Sequence, residues 1–181
     1  MTRLASERVL LRPFRDDDIA LQREYFRDPE LAWLDSNSPQ GYAAIDLEEL
    51  MDTRAARDRD IVALAVEVEG RYVGFGRLLD TANPNGVLEL GVNIGDRRYW
   101  GKGLGKDVVR LLLAHGFDDL GAHAIELTTN ARNPRAIRCF AACGFAERRR
   151  PKQIRFESEW VDLIEMSIDR ATWRSITSGV G

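Results

Sequence analysis

The nine residues Arg98-Tyr-Trp-Gly-Lys-Gly-Leu-Gly-Lys106 constrain this chain more than any other stretch. They fall between a predicted strand, Val87 to Ile94, and the longest predicted helix, Gly101 to about Leu120. In that helix Leu104, Val108, Leu111, Leu112, His115 and Phe117 recur at three- to four-residue spacing. A glycine-rich turn entering a helix leaves the first N–H groups without partners, and the helix dipole adds positive potential at the same point. Gly101, Gly103 and Gly105 let the backbone approach a bulky anion. Arg97, Arg98, Lys102 and Lys106 add charge. The physical expectation is a phosphate or pyrophosphate site.

Two familiar phosphate loops do not fit. A Walker A loop needs Ser or Thr after its Gly-Lys pair, and here Asp107 follows Lys106. A dinucleotide fingerprint needs glycine at the sixth position from Gly101, which is Lys106. The preceding strand also belongs to a meander. Ile61–Val68 and Tyr72–Leu79 form a hairpin about the turn Glu69-Gly70-Arg71, and Val87–Ile94 follows a turn at Asn83-Pro-Asn-Gly86.

The rest of the chain extends this pattern. Val9 to Phe14 reads as a strand, and Asp16-Asp-Asp18 opens a helix carrying Ile19, Leu21, Tyr25 and Phe26. Residues 35–41 read as a loop, and an acidic helix is expected from about Ile45 to Arg57. After the long helix come a strand at Ala124–Thr129, a short helix from Pro134 to Ala142, and strands near 145–155 and 160–168. With 181 residues the expectation is one domain, 1–175, followed by a short tail, 176–181. Its class is α/β of the α+β type: a mixed, largely antiparallel central sheet of about six to seven strands flanked by helices.

Composition narrows the function classes. No run of 18 apolar residues suits a membrane span, and Met1–Arg15 lacks the apolar stretch of a signal peptide. Two cysteines cannot make a disulfide scaffold. A cytoplasmic enzyme or binding domain is expected, with no membrane partner. Residues 1–96 carry 11 basic and 19 acidic residues, a net −8; residues 97–181 carry 15 and 10, a net +5. Such a split suits a cleft that meets an anion at one end and a cation at the other.

What remains at the glycine-rich turn is Arg-x-x-Gly-x-Gly at Arg98, Gly101 and Gly103. It lies between Gly91-Val-Asn-Ile-Gly95 and Asn130-Ala-Arg-Asn-Pro-Arg-Ala-Ile137. Glu7-Arg-Val-Leu-Leu-Arg-Pro-Phe14 stands near the start, with Gly144-Phe145 and Asp162-Leu-Ile-Glu-Met-Ser167 toward the end. In this order the pieces resemble the GNAT superfamily of acyl-CoA-dependent N-acetyltransferases, and within it the RimJ/RimL-like branch. The resemblance covers nearly the whole chain. It implies a GNAT fold, in which the two central strands splay apart. It implies acetyl-CoA as donor and, as a looser expectation, a homodimer.

Carried residue by residue, the resemblance places the pyrophosphate on the loop from Gly101 to Lys106 (Gly101, Lys102, Gly103, Leu104, Gly105, Lys106), flanked by Arg98 and Trp100. Val92, Asn93 and Ile94 would pair with the pantetheine arm as a neighbouring strand does. Asn130, Asn133 and Phe140 complete the donor site. Asn133 also suits the N-cap of the short helix. Many relatives carry a tyrosine, the acid for the leaving thiolate, where this chain has Phe140. Three consequences stay open: thiolate departure with water or the substrate ammonium as proton source, substitution by Cys139 or another group, or binding without efficient turnover.

Glu89 shares a strand face with Gly91 and Asn93 and is the candidate base. The competing reading is a surface carboxylate. Trp33, Tyr42 and the acidic residues Asp46, Glu48, Glu49 and Asp52 lie where relatives hold the acceptor, and such a pocket suits a cationic amine. His115 reads as a packed residue, His123 as a strand-end residue or a base. Two isolated histidines imply no metal. Cys139 and Cys143 share a helix face and read as small buried residues. The basic run Arg148–Arg155 reads as a solvated hairpin, since aromatic interleaving is sparse, so nucleic acid is not the expected partner.

The expected function is acetyl transfer from acetyl-CoA to a primary amine by direct attack. The acceptor is a protein N-terminus, a polyamine, an aminoglycoside or a small amine. A non-catalytic acyl-CoA-binding module is the alternative.

Overall fold

A tight hairpin anchors the sheet. β3 (Asp60–Val68) and β4 (Arg71–Asp80) pair antiparallel about Glu69 and Gly70, which take φ of 50° and 76°. Two successive positive φ values match the right-handed strand twist, which is why this turn closes in two residues. The computed structural model describes residues 2–36, 60–81, 85–148, 152–156 and 159–179. The expected acidic helix at 45–57, Tyr42 and most of the 35–41 loop lie outside the described residues.

Around the hairpin, β1 (Leu4–Ala5) and β2 (Leu10–Arg12) extend one edge, and β5 (Val87–Ile94) continues the meander. β6 (Ala124–Asn130), β7 (Ala146–Glu147), β8 (Lys152–Phe156) and β9 (Glu159–Asp169) make the other half. The order is β1-β2-β3-β4-β5-β6-β9-β7, with β8 also on β9. Among the described residues there are nine strands; the two-residue β1 and β7, too short to show alternation, account for those beyond seven.

Every pairing is antiparallel except β5 with β6. That pairing covers only Val87↔Ala124, Leu88↔Ile125 and Glu89↔Glu126. Beyond it β5 continues to Ile94 and β6 to Asn130 without pairing, so the expected splay begins at Glu89. β5 therefore carries an open edge of N–H and C=O groups in the middle of the sheet.

α3 (Leu104–Ala114) covers one face, burying Leu104, Val108, Val109, Leu112 and Leu113. It comes close because Gly76 has no side chain: a Cβ there would lie 2.9 Å from Leu112 Cδ1. The predicted long helix ends in a π turn, His115–Asp119, that seats the fully buried Phe117 against Trp173 at 5.9 Å. Trp173 belongs to α5 (Arg170–Ser178), capped by Asp169 accepting from Thr172 N at 2.7 Å. This helix crosses residue 175 and was not expected; Trp173 is its one buried residue, too little for a visible periodicity.

On the opposite face, α1 (Asp16–Phe26) and α2 (Pro29–Ser36) pack. Arg12 donates to both Asp18 carboxylate oxygens (2.6 and 3.0 Å) and to Glu67 (2.6 Å), tying α1 to β2 and β3. Arg12 and Asp18 are buried, so the contact with Asp18 raises the guanidinium pKa further. Removing one partner would strand a buried charge. α4 (Pro134–Ala141) packs on α3 beside the splay, where a Cβ on Gly105 would stand 3.3 Å from Cys139 Sγ.

Candidate active site

The glycine-rich turn is built from its first residue. Asp96 accepts from Arg98 N (3.0 Å) and starts a single 3-10 turn, Arg97–Tyr99. The Arg98 guanidinium folds back onto the same carboxylate at 2.6–3.1 Å and holds it below the usual carboxylate range. Gly101 and Gly103 then take φ of 73° and 79°, a region that disfavours side chains, and α3 begins at Leu104. Lys106 N closes on Gly103 O at 3.0 Å. Among the described residues, the N–H groups of Gly101 through Gly105 have no acceptor. They crown the positive end of α3.

Arg8 holds this turn from behind, donating to Lys102 O (2.9 Å) and pairing with Asp107 (2.7 Å). Spacing along the chain cannot reveal this role, because the residues are 94 positions apart. Trp100 fixes the front: its indole N–H donates to Ile94 O at 2.6 Å. Its ring lies under Arg135 (3.5 Å from guanidinium carbon to centroid) and near Arg97 (4.9 Å). Burial lowers the Arg135 pKa. Arg97 is itself anchored by Asp28, just before α2, and by Glu30 within it.

A cavity of about 660 Å³ opens between the splayed strands. Glu89, Val92, Asn93 and Ile94 line it from β5, and Trp100, Gly101, Gly103, Leu104, Gly105 and Lys106 from the turn and α3. Asn130, Asn133 and Phe140 line it from β6 and α4. Residues far apart in the chain are thus brought to one space.

Three expected residues stand elsewhere. The Arg98 side chain is spent on Asp96 and, with Lys102, lines a separate cavity beside Glu7 and Arg8. The Lys102 ammonium sits 5.4 Å from the Tyr99 ring centroid. Trp33 lies beside Arg132 (5.8 Å), while Leu31 and Leu34 of the same helix line the main cavity. A helix shows one face to the cavity, and Trp33 is off that face.

Finer contacts fit an extended polar ligand. Asn130 accepts from Arg132 N through Oδ1 (2.9 Å), and its Nδ2 is buried without a partner. A buried unpartnered amide is costly unless a ligand oxygen meets it. Asn133 caps α4 by accepting from Ala136 N at 3.1 Å. Buried Phe140 meets Phe145 edge-on at 5.9 Å. Cys139 also lines the cavity, and its hydrogen bond with Cys143, then burial, pushes its thiol pKa up. Behind Asn93, a buried chain runs from Tyr72 OH to Gln22 (2.7 Å) and from Gln22 to Asn93 (3.5 Å).

The histidines are outside the cavity: His115 contacts Asp119 at 2.7 Å and His123 contacts Asn85 O at 2.8 Å. Among the described residues, no cluster of His, Cys, Asp or Glu could hold a metal ion, and no helix is long and apolar enough to cross a membrane.

A family model described as acetyltransferase (GNAT) domain matches residues 8–146, which include the turn, the splay and α4. The chain belongs to the GNAT acetyltransferase family. A curated relative, the uncharacterized N-acetyltransferase p20 of Bacillus licheniformis, is 28% identical over 158 residues, covering 80% of this chain and 83% of that protein.

Among solved structures, spermidine N-acetyltransferase from Vibrio cholerae, in complex with CoA and spermine, superposes with a TM-score of 0.78 at 19% identity. The match covers 93% of this chain and 99% of that one. AAC(6')-Ib in complex with ribostamycin and coenzyme A gives 0.75 at 19% identity, covering 96% and 100%. Likeness at this identity carries the fold: a central, mostly antiparallel sheet flanked by helices.

Proposed function

We propose that the cavity binds acetyl-CoA and that the acetyl group passes directly to a primary amine. One observation carries this: a turn with free N–H groups stands beside a strand edge opened by the splay. The first suits a pyrophosphate and the second an extended amide-bearing arm. CoA in the spermidine acetyltransferase and AAC(6')-Ib complexes supports the donor. Gly101 through Gly105 and Lys106 hold the phosphates, Val92–Ile94 the arm, and Asn130 Nδ2 a ligand oxygen. Lys102 contributes its backbone, and Arg98 shapes the turn through Asp96.

In the reaction the amine nitrogen forms a bond to the thioester carbonyl carbon and the carbon–sulfur bond breaks. Glu89, at the mouth of the splay, accepts the amine proton directly or through water. Phe140 has no proton to give, so the thiolate takes one from water or from the substrate ammonium. A thiol is a tolerable leaving group because its pKa is about 8.5. The RimJ/RimL-like branch, the single domain at 1–175, the cytoplasmic setting and the homodimer rest on the sequence reading.

The test is thiol release from acetyl-CoA across a panel of amines. Release that depends on one amine supports the reading. Binding of acetyl-CoA without release for any amine favours a non-catalytic acyl-CoA-binding module, for which Phe140 is the argument.

A further inference from the structure

Arg77 sits in the middle of β4, opposite Gly91 of β5. Its side chain lies across Gly91, where a Cβ would stand 2.9 Å from its Nε. Nε is buried and has no hydrogen-bond partner, and among the described residues the guanidinium forms no ion pair. A buried charged donor left unpaired costs free energy that a ligand can recover. Arg77 lines the main cavity.

Position says which end of the cavity this is. Alternation places Phe75, Arg77 and, on the neighbouring strand, Glu89, Gly91 and Asn93 on one face. α3 covers the other face through Gly76. The Arg77 face is the one carrying Phe75, which packs with Phe26 and Leu31 of α1 and α2. Glu89 is diagonal to Arg77 across the strand pair, since Leu79 is its direct partner, and the two do not join in an ion pair. Glu89 is the only carboxylate among the described residues lining the cavity; Arg77, Lys106, Arg135 and Arg138 are its cations.

We infer that the acceptor is an amine that carries a carboxylate a few bonds from its nitrogen, with Arg77 holding the carboxylate while the amine faces Glu89. This rests on the acetyltransferase reading and narrows its substrate class. A linear polycation would place a second positive charge against Arg77, with no described carboxylate other than Glu89 to receive it. An amino acid places opposite charges on opposite partners. A guanidinium is suited to this because its fork binds a carboxylate through two parallel bonds.

The test uses matched acceptors with the full chain: phenylalanine against phenylalaninamide, leucine against leucinamide, and spermidine. Thiol release from acetyl-CoA is followed for each. The wild type is expected to favour each acid over its amide by about tenfold or more in kcat/KM, the size of a charged hydrogen bond.

Arg77→Met removes the preference through acceptor KM and leaves the KM for acetyl-CoA unchanged. Arg77→Lys keeps part of it. Gly91→Ala, which leaves the charge but displaces the guanidinium, also erases it. Equal use of acid and amide, or spermidine as the best acceptor, overturns the inference while leaving the acetyltransferase reading intact. Absence of thiol release with every amine overturns both. A preference that survives Arg77→Met unchanged assigns it elsewhere and overturns the role of Arg77.

Discussion

The Arg135 guanidinium lies 3.5 Å from the centroid of the Trp100 ring, and that ring donates its N–H to Ile94 O at 2.6 Å. One side chain thereby ties the start of α4, the glycine-rich turn and the end of the splayed β5. The distance between turn and strand edge is set by this tie, and a ligand spanning both would feel its loss.

Trp100→Phe keeps a ring under Arg135 and loses the hydrogen bond to Ile94. A hydrogen bond is worth about 1 kcal/mol net, so the KM for acetyl-CoA should rise about fivefold. Trp100→Ala also forfeits the cation–π contact and should raise it further. Initial rates against acetyl-CoA check this; an unchanged KM in Trp100→Ala would remove Trp100 from the donor site.

Gly103 holds φ of 79° at the N-cap of α3. An alanine there is strained by about 1–2 kcal/mol, which lowers Tm by roughly 2–8 °C for a chain of this size. Acetyl-CoA affinity should fall with it, because the N–H groups move. Gly70 supplies the control: its φ is 76° with open space around it, and it lines neither the main cavity nor the one beside Arg98 and Lys102. Gly70→Ala should lower Tm alike and leave acetyl-CoA affinity, measured by calorimetry, unchanged.

Phe140→Tyr places a hydroxyl at the cavity wall. The account expects kcat within about twofold of wild type, because the thiolate does not wait on a proton from this position. A positioned acid that the reaction needed would be worth about a hundredfold or more. A gain of that size in single-turnover rates would contradict the proposed departure step.

The Asp96 carboxyl is held below its ordinary value, first by the Arg98 hydrogen bond, and Asp28 likewise by Arg97. A depressed carboxylate contributes stability above its unfolded pKa, about 4, and loses it as pH falls through the lower folded value. Thermal unfolding at low ionic strength should therefore show a loss below about pH 4 that shrinks in Asp96→Asn. Between pH 5 and 8 these pairs should contribute no slope. Because Arg97 and Arg98 are largely exposed, salt should weaken the effect.

The glycine-rich turn was legible in sequence because it is local. A strand, three alternate glycines and a helix start occupy residues 87–120, and one reading of spacing finds them. β5 was expected at Val87–Ile94 and lies there. What escaped depended on distance: Arg8 reaching Lys102, Tyr72 and Gln22 backing Asn93, and Arg77 lying over Gly91. Arg98 and Lys102 look like anion ligands in sequence, but a carboxylate two residues away and a neighbouring ring take them. Trp33 failed through helical phase, and α5 through having a single buried residue. The excess of positive charge from residue 97 onward does begin at the turn. Among the described residues, the cavity lining from β4 and β5 sets Arg77 beside Glu89, and the acidic residues 46–52 lie outside the described residues.

Initial-rate kinetics with both substrates varied test direct transfer most directly. The account predicts intersecting double-reciprocal lines, release of free thiol only when amine is present, and no acetylated enzyme in the mass spectrum. Parallel lines, with thiol released by acetyl-CoA alone and one acetyl group left on the protein, would contradict it.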